Sequence, residues 1–353
     1  MVVDDSAVIR GFITRLLESD PDYRVVATAA NGELAVKAVA RHDVDVVVLD
    51  IEMPVMDGLT ALPLILKARP GVKVLMASTL ARRNAAISIK ALSAGASDYV
   101  PKPESARDAH ASETFRLELA RKIKALSGPK RRRIKSASGK LEPVKLAVAP
   151  KIVLRKPSAF KPAVLAIGSS TGGPQALFKL FEMLKETVRV PIFITQHMPA
   201  TFTAILAEHL QRVCGVECAE GRDQERVRPN RIYLAPGEFH MVVESDDDGM
   251  FIRINQDQPE NYCRPAVDPM FRSIAKLYGV KVLSVVLTGM GKDGKIGGQA
   301  IVDAGGTVIA QDEETSIVWG MPGAVATTGV CSAVLPLTQI APKITHLLKG
   351  GGA

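Results

Sequence analysis

Residues 163–174 read AVLAIGSSTGGP, and no other stretch restricts the fold as tightly. An apolar run ends in Gly168-x-Ser170-x-Gly172. That spacing holds a serine on a sharp turn from a strand into a helix, with its oxygen exposed at the edge of an α/β sheet. A serine hydroxyl is a weak nucleophile without a base. The chain offers His197 in QHMP and Asp293 in LTGMGKDG, each just past the end of an apolar run. Asp293 can accept a hydrogen bond from one imidazole nitrogen, leaving the other for the serine proton. Ser169 is the rival nucleophile, but it occupies the wrong position of the motif.

The surrounding sequence supports that setting. Strand-like runs at Val164–Gly168, Pro191–Thr195 and Val282–Thr288 alternate with helical patterns near Pro174–Leu184, Phe202–Arg212, Asp268–Leu277 and Gly294–Ala304. The pattern predicts a doubly wound α/β unit. Three short runs, Arg231–Ala235, Met241–Glu244 and Phe251–Asn255, predict an inserted hairpin or small antiparallel sheet. Among the six histidines, His42, His209 and His346 fall in helical patterns and His110 precedes a helix. His240 opens a hairpin strand and reads as structural. Only His197 follows a buried strand directly. The order Ser…His…Asp differs from the Ser…Asp…His of α/β-hydrolases, which disfavours a generic esterase or lipase.

Gly289 to Gly294, GMGKDG, also fits the dinucleotide pattern G-x-G-x-x-G, with Asp312 about twenty residues on. Asp293 would then sit inside the pyrophosphate cradle. Two like charges ~4 Å apart cost about 4 kcal/mol at an effective dielectric near 20, roughly three decades of affinity, which disfavours the cofactor reading.

The first 126 residues alternate in the same way, with strands at Arg24–Thr28, Val44–Leu49, Val72–Met76 and Ser97–Val100. Helices are expected at Ala7–Ser19, Glu33–Ala40, Leu59–Ala68, Arg82–Ala94 and Ser112–Leu126. In such sheets ligands sit at the carboxyl ends of the strands. Asp4 and Asp5 follow Val2-Val3, Asp50 follows VDVVVL, Ser78 follows the fourth strand and Lys102 the fifth. A lone Asp is ordinarily a helix cap or a loop charge. Three crowded carboxylates instead favour a hard cation, and oxygen ligands suit Mg²⁺. A hydroxyl and an ammonium beside them can hold phosphoryl oxygens.

A length of 353 residues suits two domains, each with its own core. The longest apolar runs are too short for a membrane span, and MVVDDS lacks the basic and apolar regions of a signal peptide. Cys214, Cys218, Cys263 and Cys331 form no Cys-x-x-Cys pair, so no disulfide framework or zinc site is indicated. A reduced, cytoplasmic protein without membrane insertion is expected. The net charge of +8 is concentrated in residues 121–161, which hold 14 Lys or Arg against one acid, Glu142, and leave −5 for the remainder. KRRRIK (Lys130 to Lys135) admits a nucleic-acid arm, but a solvated linker is the simpler reading. No aromatic residue interrupts the run to stack on bases, so no nucleic-acid partner is expected.

VVDDS, LDIEMPVMDG, the Ser78-Thr79 pair and DYVPKP resemble the receiver domains of two-component response regulators over residues 1–126. IGSSTGGP, ITQHMP, YLAPG, CRPAVD, LTGMGKDG and WGMPGA resemble, in order, the chemotaxis protein-glutamate methylesterases. The resemblance implies a flavodoxin-like receiver (1–126), a basic flexible linker (127–160) and a doubly wound methylesterase domain with a β-hairpin insertion (161–350). It implies Asp50 as phosphoacceptor, Asp4, Asp5 and Asp50 as Mg²⁺ ligands, and Ser78 and Lys102 as switch residues. Lys102–Pro103 is expected in cis. It implies a triad of Ser170, His197 and Asp293, with Thr171 and Met290 near the oxyanion. The expected reaction is phosphorylation-activated hydrolysis of glutamate γ-methyl esters on chemoreceptors, with glutamine deamidation as the related activity. A chemotaxis histidine kinase supplies the phosphoryl group, and hydrolysis itself needs no cofactor. Two departures stand out. Only three residues precede Asp4, which implies a start upstream of Met1. Cys263 stands where some members have histidine. A DNA-binding regulator would need a helix-turn-helix after the receiver. A catalytically silent binding module is the other alternative.

Overall fold

The structure, a computed structural model, describes residues 1–78, 82–102, 109–127, 152–185 and 188–350. In the first unit β1 (Val2–Val3), α1 (Ala7–Glu18), β2 (Thr28–Ala29), α2 (Gly32–Arg41), β3 (Val46–Asp50), α3 (Gly58–Ala68), β4 (Lys73–Ser78), α4 (Arg82–Ser93), β5 (Asp98–Pro101) and α5 (Ala109–Ser127) alternate along the chain. All pairs are parallel, in the order β2-β1-β3-β4-β5. β3 is buried along its whole length, so VVVLD reads as a continuous apolar run that ends on one acid. Ser6, Asn31 and Asp57 cap α1, α2 and α3 by accepting from Ile9, Leu34 and Thr60 N–H. The Lys102–Pro103 bond, Thr79 and most of the basic segment lie outside the described residues.

The second unit contains β6 (Val164–Ser169), α6 (Gly173–Leu184), β7 (Ile192–Gln196), α7 (Ala200–Cys214), β8 (Glu217–Glu220), β9 (Arg231–Leu234), β10 (His240–Asp246), β11 (Gly249–Asn255), α8 (Val267–Tyr278), β12 (Val282–Val286), α9 (Lys295–Asp303), β13 (Thr307–Gln311), α10 (Met321–Ala326), β14 (Ala333–Leu335) and α11 (Leu337–Leu348). Seven strands form one parallel sheet, β14-β13-β12-β6-β7-β9-β8. The strand order reverses between β6 and β12, which makes their carboxyl ends the place where such a sheet opens a crevice. The antiparallel insertion is the hairpin β10–β11 alone, in register from His240↔Asn255 to Asp246↔Gly249. Arg231–Ala235, expected in that insertion, instead supplies β9, which pairs parallel with β7 and β8. A short apolar run has the same two-residue period in either setting, and only the pairing distinguishes them.

Residues 152–160, the end of the expected linker, lie along this second unit. Arg155 N–H donates to Cys331 O at 3.0 Å, and Ser158 Oγ donates to Val280 O at 2.8 Å. The two units also touch directly. Tyr99 of β5 stacks on Phe202 of α7 with ring centroids 4.2 Å apart, a pair worth about 0.5–1.5 kcal/mol beyond its area. Ser93 Oγ meets His209 Nε2 at 3.0 Å, and Gln175 Nε2 of α6 donates to Ala96 O. α4 packs against both α6 and α7.

Candidate functional site

The three residues expected to act together follow three neighbouring strands of the second sheet. Ser170 follows β6, His197 follows β7, and Asp293 lies in the loop after β12. Ser170 N–H donates to Thr288 O at 3.1 Å, tying the β6 turn to the end of β12. Gly172 has φ 76°, a left-handed turn that lets α6 start immediately after the serine. At Gly289 an added Cβ would stand 2.9 Å from Ser170 Cβ. The first glycine of GMGKDG therefore serves close approach to the serine, not a pyrophosphate.

His197 Nε2–H donates to Asp293 Oδ2 at 2.8 Å, which leaves Nδ1 as the ring nitrogen that can take up a proton. Asp293 is buried, yet its carboxylate is saturated with donors. Oδ2 also accepts from Val267 N–H at 2.6 Å; Oδ1 accepts from Asp268 N–H at 3.0 Å, Gly294 N–H at 2.9 Å and Asn261 Nδ2 at 3.0 Å. Two of these donors open α8, which has no side-chain cap of its own. Asp293 thus caps that helix from another loop, and the helix dipole favours its charge. Burial alone would raise its pKa. The His197 hydrogen bond and charge, with the backbone donors, outweigh burial and hold the carboxyl below its ordinary range.

Burial likewise pulls the His197 imidazolium down, but hydrogen bonds with Asp293 and Cys263, and their charges, push its pKa up to about 10. Cys263, expected only as a departure, therefore lies against the imidazole. Asp268 forms a second buried carboxyl beside Asp293. Burial first, then the Asp293 charge, raise it to about 6. Asn261 Nδ2 bridges the two carboxyls, donating to Asp268 Oδ2 at 2.9 Å as well as to Asp293.

Thr171 is buried and Met290 half-buried, each next to a turn that carries the site. Among the described residues no hydrogen bond takes up either backbone N–H. Thr288 Oγ1 donates to Thr171 O at 2.9 Å and fixes that peptide. Two residues that no sequence motif singled out complete the support. Gln196 Nε2 donates to Ser170 O at 2.9 Å and His197 O at 3.3 Å, while its Oε1 accepts from Ser169 Oγ at 2.7 Å. Gln311 Oε1 accepts from Thr288 N–H at 2.8 Å. Ser169, the rival nucleophile, is thus fully buried and committed to Gln196. His240 is also structural: its Nδ1 accepts from Ala266 N–H at 3.2 Å and its Nε2 faces Gln258 O at 3.1 Å.

In the first unit the ligand oxygens of Asp4, Asp5 and Asp50 lie within 4.8 Å of one another. Lys102 Nζ bridges Asp4 Oδ2 and Asp50 Oδ1, each at 2.6 Å. Burial raises the Asp50 pKa; Lys102 opposes it, Asp4 adds to it, and Ile51 N–H at 2.8 Å favours the carboxylate. Ser78 ends β4 beside Asp50, since Asp50 registers with Ala77. Three convergent carboxylates with exposed Asp5 on the open side fit a hard divalent cation.

A family model described as CheB methylesterase matches residues 165–344, and one described as response regulator receiver domain matches residues 1–112. The chain is 53% identical to the protein-glutamate methylesterase/protein-glutamine glutaminase 1 of Paramagnetospirillum magneticum, over 98% of this chain and 95% of that protein. The chain belongs to this methylesterase family. A relative of the same description from Azospirillum brasilense is 55% identical, covering 98% of this chain and 91% of its own length. The crystal structure of the Thermotoga maritima CheB methylesterase catalytic domain superposes with a TM-score of 0.52 and 39% identity, covering 53% of this chain and 100% of that one. Like these CheB-type methylesterases, the chain is an enzyme of chemotaxis adaptation. It combines protein-glutamate methylesterase and protein-glutamine glutaminase activities with a receiver domain.

Proposed function

We propose that Ser170, His197 and Asp293 carry the hydrolysis and that the receiver governs access to them. The observation that supports this reading is the 2.8 Å hydrogen bond between the Asp293 carboxylate and His197 Nε2, with Ser170 at the end of the strand next to the one that carries His197. Ser170 Oγ attacks the γ-carbonyl of a methylated glutamate while Nδ1 takes its proton. Backbone N–H groups of Thr171 and Met290 hold the oxyanion. The imidazolium then protonates the departing methanol, and water releases glutamate by the reverse path. With glutamine the leaving group is ammonia. None of these steps calls on a cofactor. The substrate is a cytoplasmic helix of a chemoreceptor, the phosphodonor is a chemotaxis histidine kinase, and the enzyme works in the cytoplasm.

The base must be neutral to act, so activity rises with pH as His197 loses its proton. Cys263→Ala removes one of the groups that stabilise the imidazolium. Its kcat/KM profile is expected to rise at lower pH than the wild-type profile. An unmoved limb would remove Cys263 from the set that tunes the base.

Asp4, Asp5 and Asp50 would hold Mg²⁺, which neutralises charge as Asp50 accepts a phosphoryl group. Phosphorylation adds about −1.5 to −2 charge there. Lys102 can leave Asp4 for the new oxygens, and Ser78 can turn toward them. Ser78 ends β4 and Lys102 follows β5, two strands next to α4, whose packing on α6 and α7 covers the helices that follow Ser170 and His197. Ile317 supports the same account: it lies over Gly172 and packs with Val318 against the receiver's buried cluster. Each ~1.4 kcal/mol by which phosphorylation weakens this packing would raise the open population tenfold. Asp50→Asn should keep unstimulated activity and lose its response to acetyl phosphate. Mass spectrometry of receptor peptides, with and without that donor, reads both outcomes. A response retained by Asp50→Asn would refute the phosphoacceptor assignment.

A further inference from the structure

Residues 260–263 form a two-residue turn that has both an inner and an outer face. Glu260 and Cys263 exchange backbone hydrogen bonds at 3.2 and 2.9 Å. Between them Asn261 (φ 52°) and Tyr262 (φ 63°) are both left-handed. Asparagine tolerates that conformation at the first central position, whereas the second favours glycine. A tyrosine there is strained.

The turn is nevertheless firmly held. Asn261 Nδ2 reaches inward to Asp268 and Asp293, and Cys263 lies against His197. Glu260 is gripped from below by a two-pronged ion pair with Arg272 of α8. Tyr262 stands between two residues that touch the triad, yet its own side chain is 92% exposed, the highest among the large hydrophobic residues of the described chain. It stays exposed with the receiver docked. Neither local conformation nor core packing accounts for a tyrosine at this place. A strained residue that its neighbours hold in place beside a candidate active site is the kind of outlier that marks a functional position.

We propose that Tyr262 is a substrate-recognition residue, which packs against the receptor helix that carries the esterified glutamate. This rests on the methylesterase reading above. A rigid turn presents the ring with little ordering entropy to lose, and a receptor helix offers apolar rungs beside its methylated side chains. A short ester has no such surface, so Tyr262 discriminates receptor from small substrate.

The test compares two substrates in the full-length protein with acetyl phosphate: methylated receptor in membranes, and a capped glutamate γ-methyl ester. Tyr262→Asn keeps the left-handed turn and removes the ring. It is expected to lower the ratio of receptor to small-ester kcat/KM about tenfold or more, chiefly through KM for the receptor. Tyr262→Phe should restore the ratio, and the melting temperature of Tyr262→Asn should equal or exceed wild type. A ratio within twofold of wild type would overturn the proposal. So would equal losses on both substrates, which would make the turn a support for the triad only. Absence of methanol from both substrates with the wild-type protein would instead defeat the methylesterase reading, and this proposal with it.

Discussion

Ser170→Ala is expected to lower methanol release by about 10⁶-fold, because members of a triad act as a unit and removing one forfeits the whole. The residual rate, about 10³–10⁴ over water, would come from binding and the oxyanion donors. Ser169 does not stand in. Ser169 is fully buried, and its Oγ donates to Gln196. Folding should be unaffected, because the hydrogen bonds of Ser170 in this structure are made by its backbone. Turnover measured with equal melting curves therefore separates chemistry from stability. Activity of Ser170→Ala near that of wild type would remove Ser170 as nucleophile.

Ser170 stood out in the sequence because its motif combines a buried strand with a turn that only small residues permit. His197 and Asp293 stood out for a related reason, each being polar at the end of an apolar run. The structure brings the three to neighbouring strand ends, and the family comparisons agree on the fold and the activity. The support around them was much less visible. Gln196 and Gln311 each end a buried strand, in IFITQ and TVIAQ, and a lone amide after four apolar residues was the available signal. Asn261 carries no such mark. Its role depends on a left-handed turn that aims its amide at two carboxyls, and no spacing rule encodes that.

The fold followed the same division. Long amphipathic helices and most apolar runs were readable from period alone, but the strand expected at Arg24–Thr28 is only the two-residue β2, Thr28–Ala29. β8, with the sequence ECAE, has no apolar run to detect, and β14 is three residues long. α11 contains Pro342, which obscures a helical pattern in sequence although the structure carries the helix through it. β9 was visible as a strand but not as a member of the main sheet, because parallel pairing is decided by the crossover that precedes it.

Asp293→Asn is expected to cut turnover by about 10⁴-fold, and the hydrogen bonds explain why. Oδ1 accepts from Asn261, Asp268 N–H and Gly294 N–H, so the amide oxygen of the variant must take that side. The amide NH₂ then replaces Oδ2, facing His197 Nε2 and Val267 N–H. It donates to Nε2, which forces the ring proton onto Nδ1, the atom that must accept the Ser170 proton. Val267 N–H loses its acceptor, at a cost of about 1–3 kcal/mol for a buried donor. The pH dependence provides a second readout. His197 is raised in the folded protein from 6.5 to about 10, so its pairing with Asp293 stabilises fully below pH 6.5 and fades as pH rises through about 10. Activity needs the neutral ring and moves the opposite way. The melting-temperature gap between wild type and variant should therefore be widest near pH 6 and narrow toward pH 10. A variant within tenfold of wild-type turnover, with a gap that does not vary with pH, would show that Asp293 is not the partner of the base.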